Sequence, residues 1–239
     1  MKKRLKINGI IIFCAVIIVA FSPRFFFRSH PEANWEGWVE VLGFAFILLG
    51  QIIRVSARGY KAEHSVQGQA LIEGGPYQIV RNPMYLGIFL IGLGVVLTVF
   101  KWWAMVIFIL IFTIRYLLLI YKEEKKLLKI FPDTYKEYCR KVPRIFPSLS
   151  SIVELDISGY LPIKIIWFKK EIGSIITLLL FVLLVESWDD ILGEGFRGYL
   201  KQSVWLLLTF ILFMILVILL SRRTEKKHGD NAVTSKDNL

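Results

Sequence analysis

Cysteine, histidine and acidic residues are all scarce in this chain. Two cysteines occur among 239 residues. Cys14 lies in an apolar run and Cys139 in a basic segment, so they are not expected to pair, and two isolated cysteines make no zinc-binding spacing. The three histidines, His30, His64 and His228, stand apart from one another, so no metal site is expected. There is no Asn-x-Ser/Thr sequon to mark a glycosylated side, and no internal repeat. Nineteen Asp and Glu face 30 Lys and Arg, for a net charge of +11. In a soluble protein that excess would suggest nucleic acid. Here 55% of residues are hydrophobic and the mean hydropathy is +0.57. That is too apolar for an ordinary soluble domain, so no nucleic-acid partner is expected and the positive charge is assigned to the cytoplasm and anionic lipid.

What is present is a set of apolar runs. Six are read as membrane spans: Ile7–Phe21, Trp38–Ile53, Met84–Val99, Trp102–Leu119, Ile172–Trp188 and Val204–Leu220. Each falls short of the roughly 20 residues needed to cross upright, and flanking Trp, Tyr, Lys and Arg extend them by snorkelling. The first run follows Lys2, Lys3 and Arg4 like a signal peptide, but Phe21-Ser22-Pro23-Arg24 offers no small-residue cleavage site, so it is expected to be retained. Phe100-Lys101 alone joins the third and fourth spans, which predicts a tight antiparallel hairpin.

The fold class is therefore all-α, a polytopic helical membrane protein. Loops on one side collect nearly all the Lys and Arg; the other side holds only Arg24, Arg28, Lys101, Arg197 and Lys201. The positive-inside rule then places both termini in the cytoplasm. Residues 1–54 are read as two N-terminal spans and 55–150 as the core. Residues 151–221 are read as an interfacial segment with two further spans, and 222–239 as a polar, disordered tail. From Glu123 to Val142, apolar Leu127, Leu128, Ile130, Phe131, Tyr135 and Tyr138 alternate with lysines, so this stretch is expected to lie on the membrane surface and close over the hairpin. Pro132 breaks it, with Asp133 or Thr134 capping a second helix. Trp167 and Phe168 beside Lys169 and Lys170 are also read as interfacial.

Charge beside membrane spans is costly and therefore points to function. Gly74-Gly75-Pro76-Tyr77 makes a tight turn, serving either as a loop entering a span or as a close backbone approach to a ligand. Arg81-Asn82-Pro83-Met84-Tyr85 follows, with Pro83 at the first turn of the third span and Asn82 placed to cap it. Arg115 lies inside the fourth span, either snorkelling or serving as counter-ion in a pocket. Glu123 and Glu124 point to different faces of one helix, either as a solvated pair among lysines or as one carboxylate facing the bundle.

In order, Gly-Pro-Tyr, Arg-x-Pro-x-Tyr-x-Gly, a hairpin, Glu-Glu, Phe-x-x-x-Tyr-x-x-Tyr and Val142-Pro143-Arg144 resemble the membrane-embedded isoprenylcysteine carboxyl methyltransferase and phospholipid N-methyltransferase superfamily. The likeness covers roughly Gln51 to Pro147. Asn82-Pro83-Met84-Tyr85 is similar to the phospholipid branch and the Val-Pro-Arg ending to the isoprenylcysteine branch. The resemblance implies S-adenosylmethionine as methyl donor, with no Rossmann fingerprint, in a pocket at the cytoplasmic helix ends. It implies cofactor contacts from Gln69, Ala70, Leu71, Ile72, Tyr77, Asn82, Pro83, Met84, Tyr85 and Glu124. It implies catalytic roles for Glu123, Arg81 and, standing in for a missing arginine, Arg115. Three positions depart from the family. Asn82 replaces a histidine, Gln69 stands where histidine is common, and Leu119 replaces an arginine one turn before Glu123. The last change counts against a prenylcysteine carboxylate as acceptor.

The expected function is an integral membrane methyltransferase acting on a lipid or lipidated acceptor, with no metal, in a bacterial cytoplasmic membrane. The last two spans are expected to shape the lipid entrance or support a homodimer. The rivals are an NADPH-dependent reductase of the sterol-reductase type and a non-enzymatic scaffold or transporter.

Overall fold

The computed structural model describes residue 25, residues 34–65, 70–147 and 160–178, and positions between 204 and 222 that include 211–215 and 217–219. Five helices follow in chain order: α1 (Asn34–His64), α2 (Pro76–Ile79), α3 (Pro83–Val99), α4 (Trp102–Ile130) and α5 (Pro132–Lys141). A further helical stretch covers 165–178, helical turns recur between 204 and 222, and no strand occurs among the described residues. The first expected span, Ile7–Phe21, most of the fifth and parts of the sixth lie outside the described residues, as does the tail beyond 222.

Helices α1 and α3 form the most extensive helix pair, and glycine allows it. A Cβ built on Gly50 would sit 2.6 Å from the Gly87 carbonyl oxygen, and one on Gly87 would sit 2.8 Å from that of Gly50. Gly43 and Gly94 repeat the contact two turns away, which fixes the pair as antiparallel. Without side chains at the crossing, backbones approach and dispersion contacts replace the hydrophobic drive that lipid cannot supply. Helices α3 and α4 are joined by extended Phe100 and Lys101, as the two-residue connection predicts. Their seam is aromatic: Phe89 lies 5.0 Å from Phe112, Phe112 stacks on Tyr116 at 4.0 Å, and Tyr116 meets the Tyr85 ring edge at 5.2 Å.

Helices α1 and α4 are long and apolar enough to cross a bilayer, and α3 is a shorter apolar helix. Ile120 is the buried residue of α4, whereas Leu110, Ile111, Ile114 and Leu118 are exposed. Such an uncovered apolar helix of 29 residues is stable where lipid, not water, surrounds it.

Four local expectations are corrected. The helix that carries the second apolar run does not end at Ile53: α1 continues unbroken to His64, because Arg54, Arg58 and Glu63 find charged partners instead of terminating the helix. Glu123–Ile130 is not a separate surface helix but the end of α4. The next helix is not capped by Asp133 or Thr134: Pro132 occupies its first turn and Phe131 is its N-cap residue, with no side-chain cap, since the residue before proline is kept out of helical geometry. Trp167 and Phe168 are not interfacial: they are 4% and 2% exposed, in a core with Ile52, Val55, Ile163, Phe213 and Val217.

Candidate functional site

At one end of the hairpin lies a cavity of about 400 Å³, within the size range of small-molecule sites. Six segments wall it. The end of α1 gives Lys61 and Ser65, the next loop gives Ala70, Leu71 and Ile72, and α2 gives Tyr77. The start of α3 contributes Arg81 to Tyr85. The end of α4 adds Glu123, Lys126 and Leu127, and α5 adds Tyr135 and Tyr138.

The loop before α2 is shaped by Gly75, whose φ of 58° lies in the region that side chains avoid. A Cβ there would also meet the Tyr60 ring at 2.8 Å, so the turn rests directly on α1. Tyr77 is buried, its hydroxyl reaching the Ala57 carbonyl at 3.4 Å. The Tyr138 hydroxyl donates to the Tyr77 carbonyl at 2.6 Å, which docks α5 onto the loop. Burial raises the phenol of Tyr77, with the Glu123 charge adding to the effect; burial likewise raises Tyr138, helped by Glu73. Both therefore remain neutral hydrogen-bonding groups at physiological pH.

At the start of α3, Asn82 and Pro83 set the helix. Pro83 takes the first turn, and the Asn82 carbonyl accepts from the Tyr85 and Leu86 amides. The Asn82 side chain does not cap the helix as the sequence suggests; its amide donates to the Arg144 carbonyl at 3.0 Å. The Arg81 amide donates to the Pro143 carbonyl at 2.8 Å. Val142-Pro143-Arg144 is thus a strap across the Arg-Asn-Pro turn, joining residues 62 positions apart in the chain.

The paired glutamates divide as their helical spacing requires. Glu123 lines the cavity and accepts the Tyr85 hydroxyl at 2.8 Å. Glu124 turns behind the wall, 3.0 Å from Arg81 and 2.8 Å from Arg144, with Arg81 and Glu124 each 12% exposed. Arg144 grips it through two nitrogens, the bidentate geometry that strengthens a charged pair. The Arg81 guanidinium also contacts the Cys139 thiol.

The structure brings together Ala70, Leu71, Ile72, Tyr77, Arg81, Asn82, Pro83, Met84, Tyr85 and Glu123 around one cavity. Glu124 touches that group through Arg81. Gln69 lies outside the described residues. Arg115 is exposed and does not line the cavity. Eight residues before Glu123, at ~100° per residue, it points ~80° away around the helix. Sequence reasoning did not assign Lys61, Ser65, Lys126, Leu127, Tyr135, Tyr138 or Arg144 to the site. Tyr135 and Tyr138 could have been found from their i, i+3 spacing, which puts both on one face of α5. Among the described residues no group of three His, Cys, Asp or Glu is placed to hold a metal ion.

Residues 38–134 match the phospholipid methyltransferase family. The chain is 28% identical over 185 residues to cobalt-zinc-cadmium resistance protein CzcN of Cupriavidus metallidurans, covering 72% of this chain and 79% of that one. It is 27% identical over 131 residues to the protein-S-isoprenylcysteine O-methyltransferase of Xenopus laevis, covering 52% of this chain and 46% of the relative. To the enzyme of the same name from Schizosaccharomyces pombe it is 32% identical over 110 residues, covering 43% and 47%. The alignments therefore span about half the length of these two enzymes. No solved structure matches the chain. The family match takes in most of the cavity wall, from Lys61 to Phe131, and together with these relatives it supports the isoprenylcysteine carboxyl methyltransferase and phospholipid methyltransferase superfamily as the one this chain is similar to.

Proposed function

We propose that this protein is a membrane-embedded methyltransferase that uses S-adenosylmethionine to methylate a lipophilic acceptor, with its site facing the cytoplasm. One observation carries the reading. Four segments separated in sequence, Ala70–Ile72, Tyr77, Arg81–Tyr85 and Glu123, converge on a single cavity at the end of two apolar helices. A scaffold has no need for that convergence.

The residues fit the cofactor chemically. Glu123 is a carboxylate for a cationic group, Arg81 and Lys61 are cations for a carboxylate, and Leu71, Tyr77 and Tyr135 offer apolar and aromatic surface for a purine. When bound, S-adenosylmethionine supplies an electrophilic methyl group. The chain's own residues then position and polarise. Tyr85 holds the Glu123 carboxylate in one orientation, and Glu123 is available to take a proton from an amine or thiol acceptor. Arg81, tied to Glu124, is a fixed positive charge in the wall. Exposed apolar side chains of α4, such as Leu117 and Leu118, offer a lipid-facing approach for the acceptor's chain.

Purified protein in detergent should bind labelled S-adenosylmethionine saturably, competed by S-adenosylhomocysteine and not by NADPH. Glu123→Gln and Tyr85→Ala should each weaken that binding about tenfold, the cost of losing a charge-assisted hydrogen bond. Unchanged binding in both variants would rule out this site assignment.

A further inference from the structure

Helix α1 runs past its helical partner. Gly87 of α3 lies against Gly50 and Arg54, and α3 begins at Pro83, about one turn away. The turns of α1 beyond Arg58 are therefore not supported by α3. An isolated helix end this short would fray in water, yet it carries Lys61 and Ser65 of the cavity wall.

The support comes from residues 160–178, beyond the segment matched to the family. The Ser56 hydroxyl donates to the Pro162 carbonyl at 2.7 Å in a buried bond. Arg54 and Arg58 both reach Glu171, at 2.9 and 2.6 Å. Higher up, a Cβ on Gly59 would overlap the Trp167 ring, so only glycine lets that ring seat against the helix. Glu63 accepts the Trp167 indole N–H at 2.8 Å and the Lys164 ammonium at 2.6 Å. The residues between face the other way. The Tyr60 ring underlies Gly74 and Gly75, His64 stacks on Tyr60 at 3.9 Å, and Lys61 and Ser65 line the cavity. Within two turns, one side of α1 is gripped by the later helix and the other side shapes the site.

We propose that Trp167 and Glu63 are positioning residues for the cavity: they fix the last turns of α1 and, through Tyr60, the Gly74-Gly75 turn. The family-matching segment supplies most of the wall, and residues 160–178 hold part of that wall in place. The choice of S-adenosylhomocysteine as a probe rests on the proposed function; the positioning role does not.

The test uses the full chain in detergent, with Trp167→Phe, which keeps an aromatic ring but removes the indole N–H, and with Glu63→Gln. Amide hydrogen exchange over 59–65 and 70–79 should accelerate about five- to tenfold in both variants, with exchange across α3 unchanged. S-adenosylhomocysteine affinity should fall by a similar factor. Wild-type exchange over 70–79 in both variants would overturn the proposal. So would uniform loosening of α3 as well, which marks a merely structural role. If exchange accelerates locally but the wild-type protein binds no S-adenosylhomocysteine, the positioning role stands and the methyltransferase reading falls.

Discussion

Glu123→Gln should lower the methyl-transfer rate by about 10²–10³-fold, the scale of a lost acid–base or electrostatic contribution. The substitution keeps shape and removes charge. The amide oxygen can still accept the Tyr85 hydroxyl, which now meets a carboxylate at 2.8 Å, so the wall should keep its form. Glu123 is the carboxylate that lines the cavity, whereas Glu124 is turned away and neutralised by two arginines. Initial rates with a labelled methyl donor, alongside thermal unfolding in detergent, separate chemistry from folding. A slow enzyme with wild-type stability is the expected outcome. Tyr85→Phe should have a smaller effect, because it frees the carboxylate without removing it.

The largest stability loss should come from the other glutamate. Glu124→Ala removes the carboxylate partner of Arg81, which is only 12% exposed and whose Nε is buried with no hydrogen-bond partner among the described residues. Leaving a mostly buried guanidinium without its counter-charge costs about 3 kcal/mol or more. The same change releases Arg144, and so loosens the strap that the Asn82 side chain and the Arg81 amide hold through backbone carbonyls. Arg144→Ala should cost far less, about 1 kcal/mol or below, since that side chain is 50% exposed and its pairing is screened by solvent. Thermal unfolding of the two variants checks the order: Glu124→Ala far below wild type, Arg144→Ala close to it. The reverse order would show that Arg81 does not depend on Glu124.

Much of this site was legible in the sequence because its residues obey local rules. Pro83 declares a helix start, Phe100-Lys101 is too short for anything but a hairpin, and adjacent glutamates must face different ways on a helix. The reach of α1 was not legible. Hydropathy stops at Ile53 because Arg54, Arg58 and Lys61 follow, and whether a helix continues through charge depends on distant partners such as Glu171 and Lys164. Trp167 and Phe168 failed as interfacial markers for the same reason. An aromatic pair beside two lysines reads alike whether it meets headgroups or a protein core, and here only Gly59, more than 100 positions earlier, makes room for the ring. Arg115 stood out as a charge within an apolar run, but its angular position on α4 is what keeps it from the cavity. Gly43, Gly50, Gly87 and Gly94 carry the α1–α3 crossing, and their matched seven-residue spacing is a signal that hydropathy alone does not read.

The most direct measurement is to incubate membranes containing the protein with methyl-labelled S-adenosylmethionine, extract the lipids, and identify labelled species by mass spectrometry. The account predicts label in a defined lipid or lipidated molecule with the wild-type protein and a near-complete loss with Glu123→Gln. Lipid extracts without label, or label that is the same in both, would contradict it.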